Sequence, residues 1–449
     1  MAEMAHGLDS IKISTNEKKN MSTPYNQETI DKIEADIRDL EQQPLEGPEP
    51  LKALTKAYVE LSDEYWKTGT PTALAQAIAA GEKAIHYAKQ LPIEVDEYRD
   101  VLASAYIALG DPQNKLGTPT DLQQALASYE QAIQLRKALP LDNHDYCNNL
   151  AIAYRRRGNA QWQLGTPSDL HQAIESYNQA IELSQALPLD NPQYRNDLAI
   201  AYMNRGYTQR KLGTQSDLHQ AIESYNQAIK LGKELSLDNP EYRNDLASAY
   251  VNRGIAQSNL GTPSDLHQAI ESYNQAIELR QALPLDNPQY RNDLAGAYMN
   301  RGSTQQDLGT PSDLHQAIKS YNQAIELRSE LPLDNPKYRN DLAGAYMNRG
   351  SAQTKLGTPS DLHQAIESYN QAITLTESLN KQVLQYVELR AKAFGNKASA
   401  CLQNRDFEEA NEAAEEGLEL LRDLEISGVY VLRASREWLF DATINLPFA

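Results

Sequence analysis

A Gly-Thr step returns at Gly69, Gly117, Gly165, Gly213, Gly261, Gly309 and Gly357, each 48 residues after the one before. A chain copied in tandem at constant length folds as one supersecondary unit stacked on its neighbours, because a single unit cannot bury its own apolar face. The copies between Gly165 and Leu379 are nearly identical, and those beginning at Gly69 and Gly117 diverge.

Each copy holds two helical patterns and no strand pattern. Leu170, Ala173, Ile174, Tyr177, Ala180, Ile181 and Leu187 recur at helical spacing and form one apolar stripe. His171, Gln172, Glu175, Asn178, Gln179 and Glu182 fall on the opposite, wet side. Thr166-Pro167-Ser168-Asp169 reads as a start signal: a Thr N-cap, Pro at N1 and a carboxylate at N3. Pro188 ends that helix, and Asp190-Asn191-Pro192 starts the next, which runs to Gly213 as its C′ residue. Two helices of about 20 residues, each ~30 Å long, make an antiparallel hairpin.

Composition narrows the class. Lys+Arg 42 against Asp+Glu 61 gives a net charge of −19, which disfavours nucleic acid and anionic membrane surfaces as partners. No apolar run reaches the ~20 residues of a membrane-spanning helix, so no membrane insertion is expected. The opening MAEMAHGLDSIKISTNEKKN is polar and holds no signal-peptide core. Cys147 and Cys401 form no CxxC pair, which fits a reducing compartment, and a cytoplasmic location is expected.

At Tyr298 and Gly302, then Ala317, Tyr321 and Ala324, the residues resemble the tetratricopeptide-repeat family. That pattern sets an aromatic and a Gly on the first helix, and Ala, an aromatic and Ala on the second. The aromatic column Tyr58, Tyr106, Tyr154, Tyr202, Tyr250, Tyr298, Tyr346 and Phe394 counts eight hairpins over roughly residues 50 to 422. The usual unit is about 34 residues. This one is 48, with a TPS step as three extra residues between longer helices, so it is more similar to the long-repeat branch that includes kinesin light chains. The resemblance implies an all-α fold: a right-handed α-solenoid superhelix of about eight antiparallel helix hairpins with capping helices. The expected organisation is a disordered tail at 1–26, a capping helix at 27–49, the solenoid at 50–422, and a closing helix and tail at 423–449 centred on Val429–Ala442.

Comparing copies shows where the unit varies. The differences concentrate at Ile200/Ser248/Gly296/Gly344, Tyr207/Ile255/Ser303/Ser351, Arg210/Ser258/Gln306/Thr354 and Lys211/Asn259/Asp307/Lys355, one stripe of the first helix. The resemblance implies that this stripe lines the concave groove, and a groove tailored to an extended or helical peptide follows. The alternative is drift at tolerant surface sites. Asn204, Asn252, Asn300 and Asn348 form a column that, by the same resemblance, pairs with a bound peptide backbone; bracing between helices is the alternative. Arg205, Arg253, Arg301 and Arg349 are expected to form salt bridges between units. In the diverged copy, Arg155-Arg156-Arg157, Asn159 and Trp162, with Arg210 and Lys211 of the next copy, compose a basic and aromatic spot suited to an acidic segment of a protein partner. Solvated arginines and a packed Trp162 are the alternative there.

His171, His219, His267, His315 and His363 recur in register, but equivalent atoms in stacked hairpins sit ~10 Å apart, too far to share one metal ion with bonds of about 2 Å. No nucleophile, P-loop or dinucleotide-binding motif is present, and no cofactor or enzymatic activity is expected. The expected function is a non-enzymatic interaction scaffold. A self-associating structural protein, or a regulatory module for a separately encoded enzyme, is the alternative.

Overall fold

The computed structural model describes residues 27–380 and 383–426, and every regular element among them is an α-helix. The chain divides into two compact units, Met1–Asp245 and Leu246–Ala449. The first holds α1 (Gln27–Glu41), α2 (Pro48–Thr68), α3 (Pro71–Ala88), α4 (Asp96–Leu116), α5 (Pro119–Lys137), α6 (His144–Leu164), α7 (Pro167–Gln185), α8 (Pro192–Leu212) and α9 (Gln215–Lys233). The boundary falls inside α10 (Pro240–Leu260). The second unit continues with α11 (Pro263–Gln281), α12 (Pro288–Leu308), α13 (Pro311–Ser329), α14 (Pro336–Leu356), α15 (Pro359–Glu377), α16 (Leu384–Gln403) and α17 (Phe407–Ile426). The tail expected at 1–26 and the closing helix expected at Val429–Ala442 lie outside the described residues.

Local chemistry sets the helix ends. The Thr166 side chain accepts from the Asp169 N–H, and the Asp169 carboxylate accepts from the Thr166 N–H at 3.2 Å, a closed capping box. Asn191 caps α8 by accepting from the Gln193 N–H at 2.9 Å. Gly213 adopts φ 80°, the left-handed C′ conformation that favours glycine. Here the sequence reading needs one correction. Pro167 and Ser168 are the first residues of α7 rather than an insertion between helices, so the extra length of the unit is helical: 21 residues in α8 and 19 in α9.

Six hairpins, α4/α5 to α14/α15, close on one contact. Tyr129, Tyr177, Tyr225, Tyr273, Tyr321 and Tyr369 of the second helices are fully buried. Each ring lies where a Cβ on the facing first-helix glycine would sit only 2.7 to 2.9 Å away, at Gly110, Gly158, Gly206, Gly254, Gly302 and Gly350. Glycine is required there by close approach, not by dihedral freedom. In the first unit α2 packs beside α4, α4 beside α6 and α6 beside α8; in the second α12 packs beside α14 and α14 beside α16. Among the described residues of each unit, second helices make no comparable approach to one another. Within each unit, therefore, first helices form the tightly spaced inner layer and second helices the splayed outer layer of an α-solenoid.

Candidate functional site

The variable column Ile200/Ser248/Gly296/Gly344 has a cause inside the protein at its first two members. Ile200 and Ser248 are buried rather than facing a groove, a correction to the sequence reading. Ser248 Oγ accepts from Arg280 Nη2 at 3.1 Å, and Arg280 Nη1 reaches the Asp293 carbonyl at 2.7 Å. The same device appears at Arg136, whose Nη2, Nη1 and Nε reach Ser104 Oγ at 3.0 Å, the Asn149 carbonyl at 3.0 Å and Asp100 Oδ1 at 2.9 Å. One buried guanidinium thus ties three consecutive helices, α4, α5 and α6. Arg328 does so for α12, α13 and α14 through Asn292 Oδ1 at 3.2 Å and the Asp341 carbonyl at 2.8 Å. Where the arginine register holds Ser184 or Gly232, the facing position holds Ile152 or Ile200. From Ser104 with Arg136 to Gly296 with Arg328 one member of each pair is large and the other small, a signal readable from sequence, and Gly344 with Thr376 departs from it. Burial pushes the Arg136 and Arg328 guanidinium pKa values down from the usual range.

The basic run of the diverged copy is neutralised. Arg155 is buried and faces Asp197 at 3.7 Å, Arg156 pairs with Asp111, and Arg157 Nη1 donates to Glu130 at 2.8 Å. Asn159 and Asn204 are also interior: Asn204 Nδ2 donates to Asn159 Oδ1 at 3.1 Å, and Asn159 Oδ1 accepts from Tyr177 at 2.9 Å. Asp111, Asn114, Tyr129, Arg156, Asn159 and Trp66 line a recess with room for about one water molecule.

What reaches the surface is an aromatic pair with cations over it. Trp162 and Tyr207 have ring centroids 5.1 Å apart and are tilted by 53°. The Lys211 Nζ lies 4.2 Å from the Trp162 ring, and the Arg210 guanidinium 4.7 Å from the Tyr207 ring. Lys211 also donates to the Trp162 carbonyl at 3.2 Å, near the C-terminal end of α6. Partial burial pushes its ammonium pKa below the usual lysine range. Lys115 repeats this arrangement on Trp66, at 4.6 Å from the ring and 2.7 Å from the carbonyl.

In the second unit the Asn column is different. Asn252, Asn300 and Asn348 are half-buried on α10, α12 and α14, and their carboxamides make no hydrogen bond within the described chain. Around Gly296 and Gly344 a Cβ would meet nothing within 4 Å, so α12 and α14 leave open space about one turn before their Asn. The neighbouring arginines are consumed, though not as expected. Arg301 donates to Ser320 at 3.0 Å and Asn274 at 2.9 Å and lies 5.0 Å from the Tyr298 ring; Arg349 repeats this with Ser368, Asn322 and Tyr346. Arg205 likewise bonds Ser224 and Asn178. For Arg205, Arg301 and Arg349 these are neutral partners, not the salt bridges the sequence suggested, whereas Arg157 of the same column pairs with the Glu130 carboxylate.

Both cysteines are free and buried, and burial raises their thiol pKa values, to about 12 at Cys401. Among the described residues no three metal-ligating side chains converge, and no helix is long and apolar enough to cross a membrane.

A family model described as a tetratricopeptide repeat matches residues 247–283 and 295–331. No curated protein sequence matches at a significant level. Among solved structures the chain is similar to the apo form of RapI, with TM-score 0.51 and 13% identity over 84% of this chain and 100% of that one. It is also similar to the apo quorum sensor NprR from B. thuringiensis, with TM-score 0.48 and 14% identity over 88% and 94% of the two chains. BtubC (BKLC) from P. vanneervenii gives TM-score 0.45 and 20% identity over 57% and 91%. At such identities the likeness is one of fold.

Proposed function

The chain is a tetratricopeptide-repeat protein, and on that premise we propose that it is a non-enzymatic interaction module whose inner layer binds an extended or helical segment of a partner protein. The observation that carries this reading is the row Asn252, Asn300 and Asn348, whose carboxamides have no partner of their own. A carboxamide offers donor and acceptor together, so it can pair with a peptide group whatever side chain follows. Packed helices sit ~10 Å apart and an extended chain rises ~3.3 Å per residue. Successive carboxamides would then meet about every third residue of an extended ligand. The second-unit stripe is lined by small and adaptable residues, Gly296, Met299, Ser303, Gly344, Met347 and Ser351, which leave room for such a backbone.

In the first unit, the proposal assigns anchoring to Trp162 and Tyr207, with Arg210 and Lys211 favouring an acidic side chain of the ligand. Arg155, Arg156, Asn159 and Asn204 hold this surface from beneath through the pairs described above. The free, buried cysteines fit a cytoplasmic setting.

The test is selection of a displayed random 15-residue peptide library on the full chain, followed by affinity measurement on the triple variant N252A/N300A/N348A. Each neutral hydrogen bond contributes ~1 kcal/mol, so selected peptides should bind roughly a hundredfold more weakly while thermal unfolding is unchanged. Selected peptides that bind the variant as tightly as the parent would remove the reading, as would a selection that enriches none.

A further inference from the structure

Five large apolar side chains are exposed among the described residues, and four of them share one edge of the first unit: Leu45 (41%), Ile93 (41%), Val95 (45%) and Leu141 (37%). They lie in the loops α1–α2, α3–α4 and α5–α6, at equivalent places in successive hairpins. The loops are side by side. Lys52 bridges Glu49 at 3.2 Å and Glu97 at 2.9 Å, tying the first to the second. Arg99 bonds Asp96 at 2.9 Å and the Ala138 carbonyl at 3.2 Å, tying the second to the third.

Charge distinguishes this edge as sharply as hydropathy. Segments 44–49, 92–97 and 140–145 contain seven carboxylates and no Lys or Arg, whereas the matching segments 188–193 and 236–241 carry one and two. Each exposed aliphatic at 45, 93 and 141 is followed directly by a carboxylate, Glu46, Glu94 or Asp142, and these three make no ion pair or hydrogen bond within the described chain. In later copies the equivalent Leu189 and Leu237 are only half-exposed. The early copies have therefore diverged toward more apolar exposure and more negative charge at the same loops. The added carboxylates Glu49, Asp96 and Glu97 are taken up by Lys52 and Arg99, whereas Glu46, Glu94 and Asp142 stand exposed beside the apolar side chains.

We propose that this edge docks a basic, amphipathic segment of a partner protein, its apolar face on Leu45, Ile93, Val95 and Leu141 and its Lys or Arg residues on Glu46, Glu94 and Asp142. Two intervals of ~10 Å between hairpins match a helix of about 14 residues, ~21 Å long. A second copy of this chain would bring the same carboxylates against themselves, so charge argues against it as the occupant. The edge lies on the inter-hairpin loops rather than on the inner layer, so it stands whether or not the groove reading survives.

The probe is a fluorescent 14-residue helical peptide of Leu and Lys at amphipathic spacing, titrated against the full chain by anisotropy at physiological salt. The variants I93S/V95S/L141S and E46K/E94K/D142K should each bind at least tenfold more weakly with unchanged thermal unfolding. The outer-face variant E175K/E182K/E223K should keep parental affinity, and a scrambled peptide of equal composition should bind at least tenfold more weakly than the amphipathic one. Equal weakening by the outer-face variant, or equal binding of the scrambled peptide, would show bulk charge attraction and overturn the proposal. So would undiminished binding by I93S/V95S/L141S, or a dimer in sedimentation that this variant dissolves, which would make a second copy the occupant.

Discussion

Replacing Arg136 by Met tests whether buried guanidinium groups hold consecutive hairpins in register. Met keeps most of the aliphatic stem that packs between helices, so the loss falls on the charged head. Three hydrogen bonds disappear, to Asp100, Ser104 and the Asn149 carbonyl, at a residue that is 5% exposed. Asp100 keeps one donor, Asn149 Nδ2 at 3.2 Å, but loses its cation while its side chain is only 19% exposed. Breaking one side of a buried pair costs ~3–5 kcal/mol, and the remaining donor and partial exposure place the expected loss near ~3 kcal/mol. Asp100→Asn alone should cost a comparable amount by stranding the guanidinium charge. The double variant R136M/D100N leaves no unpaired charge, and should be at least ~2 kcal/mol more stable than the sum of the single losses predicts. Repeat stacks open locally rather than all at once, so the measurement is native-state hydrogen exchange of α4, α5 and α6. R328M is the reference in the second unit, where the Nε and Nη1 bonds go to an amide oxygen and a carbonyl rather than a carboxylate. A loss under ~1 kcal/mol for R136M, with additive behaviour of the double variant, would refute the tie between hairpins.

Two glycines of α12 should respond with opposite sign. A Cβ at Gly302 would lie 2.7 Å from the buried Tyr321 ring, so Gly302→Ala should destabilise the second unit by ~1–2 kcal/mol after the helix-propensity gain; Gly296→Ala meets nothing within 4 Å and should stabilise it by up to ~1 kcal/mol. Denaturation midpoints that move in the same direction would contradict the close-approach argument. At the other end of the chain, Glu41 accepts from Tyr58 at 2.7 Å and Tyr87 at 3.1 Å, and the Tyr58 hydrogen bond holds its pKa below the usual 4.5. A depressed carboxylate contributes stability above its unfolded value and loses it as pH falls through the folded one. Amide exchange in α1 should therefore accelerate below about pH 4.5 relative to α2, and Glu41→Gln should flatten that difference; an unchanged profile in the variant would assign the acid response elsewhere.

Element identity and boundaries were legible because their causes are local. A Thr cap and its Asp lie three residues apart, a C′ glycine ends its own helix, and an apolar stripe recurs every three to four residues, so Thr166, Asp169 and Gly213 announce their roles without reference to the rest of the chain. The constant period then implied stacked hairpins, and the aromatic-to-glycine match at Tyr321 and Gly302 is visible because identical copies repeat it. What only the tertiary structure decided is which side of each first helix is covered. Arg155 and Asn204 belong to the same columns as residues that stay open in the second unit, yet Asp197 and Asn159, from hairpins 42 and 45 residues away, enclose them. Ile200 sits in the variable stripe and yet is buried, in the register that pairs it with Gly232. Those outcomes depend on side-chain volume and charge meeting across separate copies, and no spacing within a single copy encodes them.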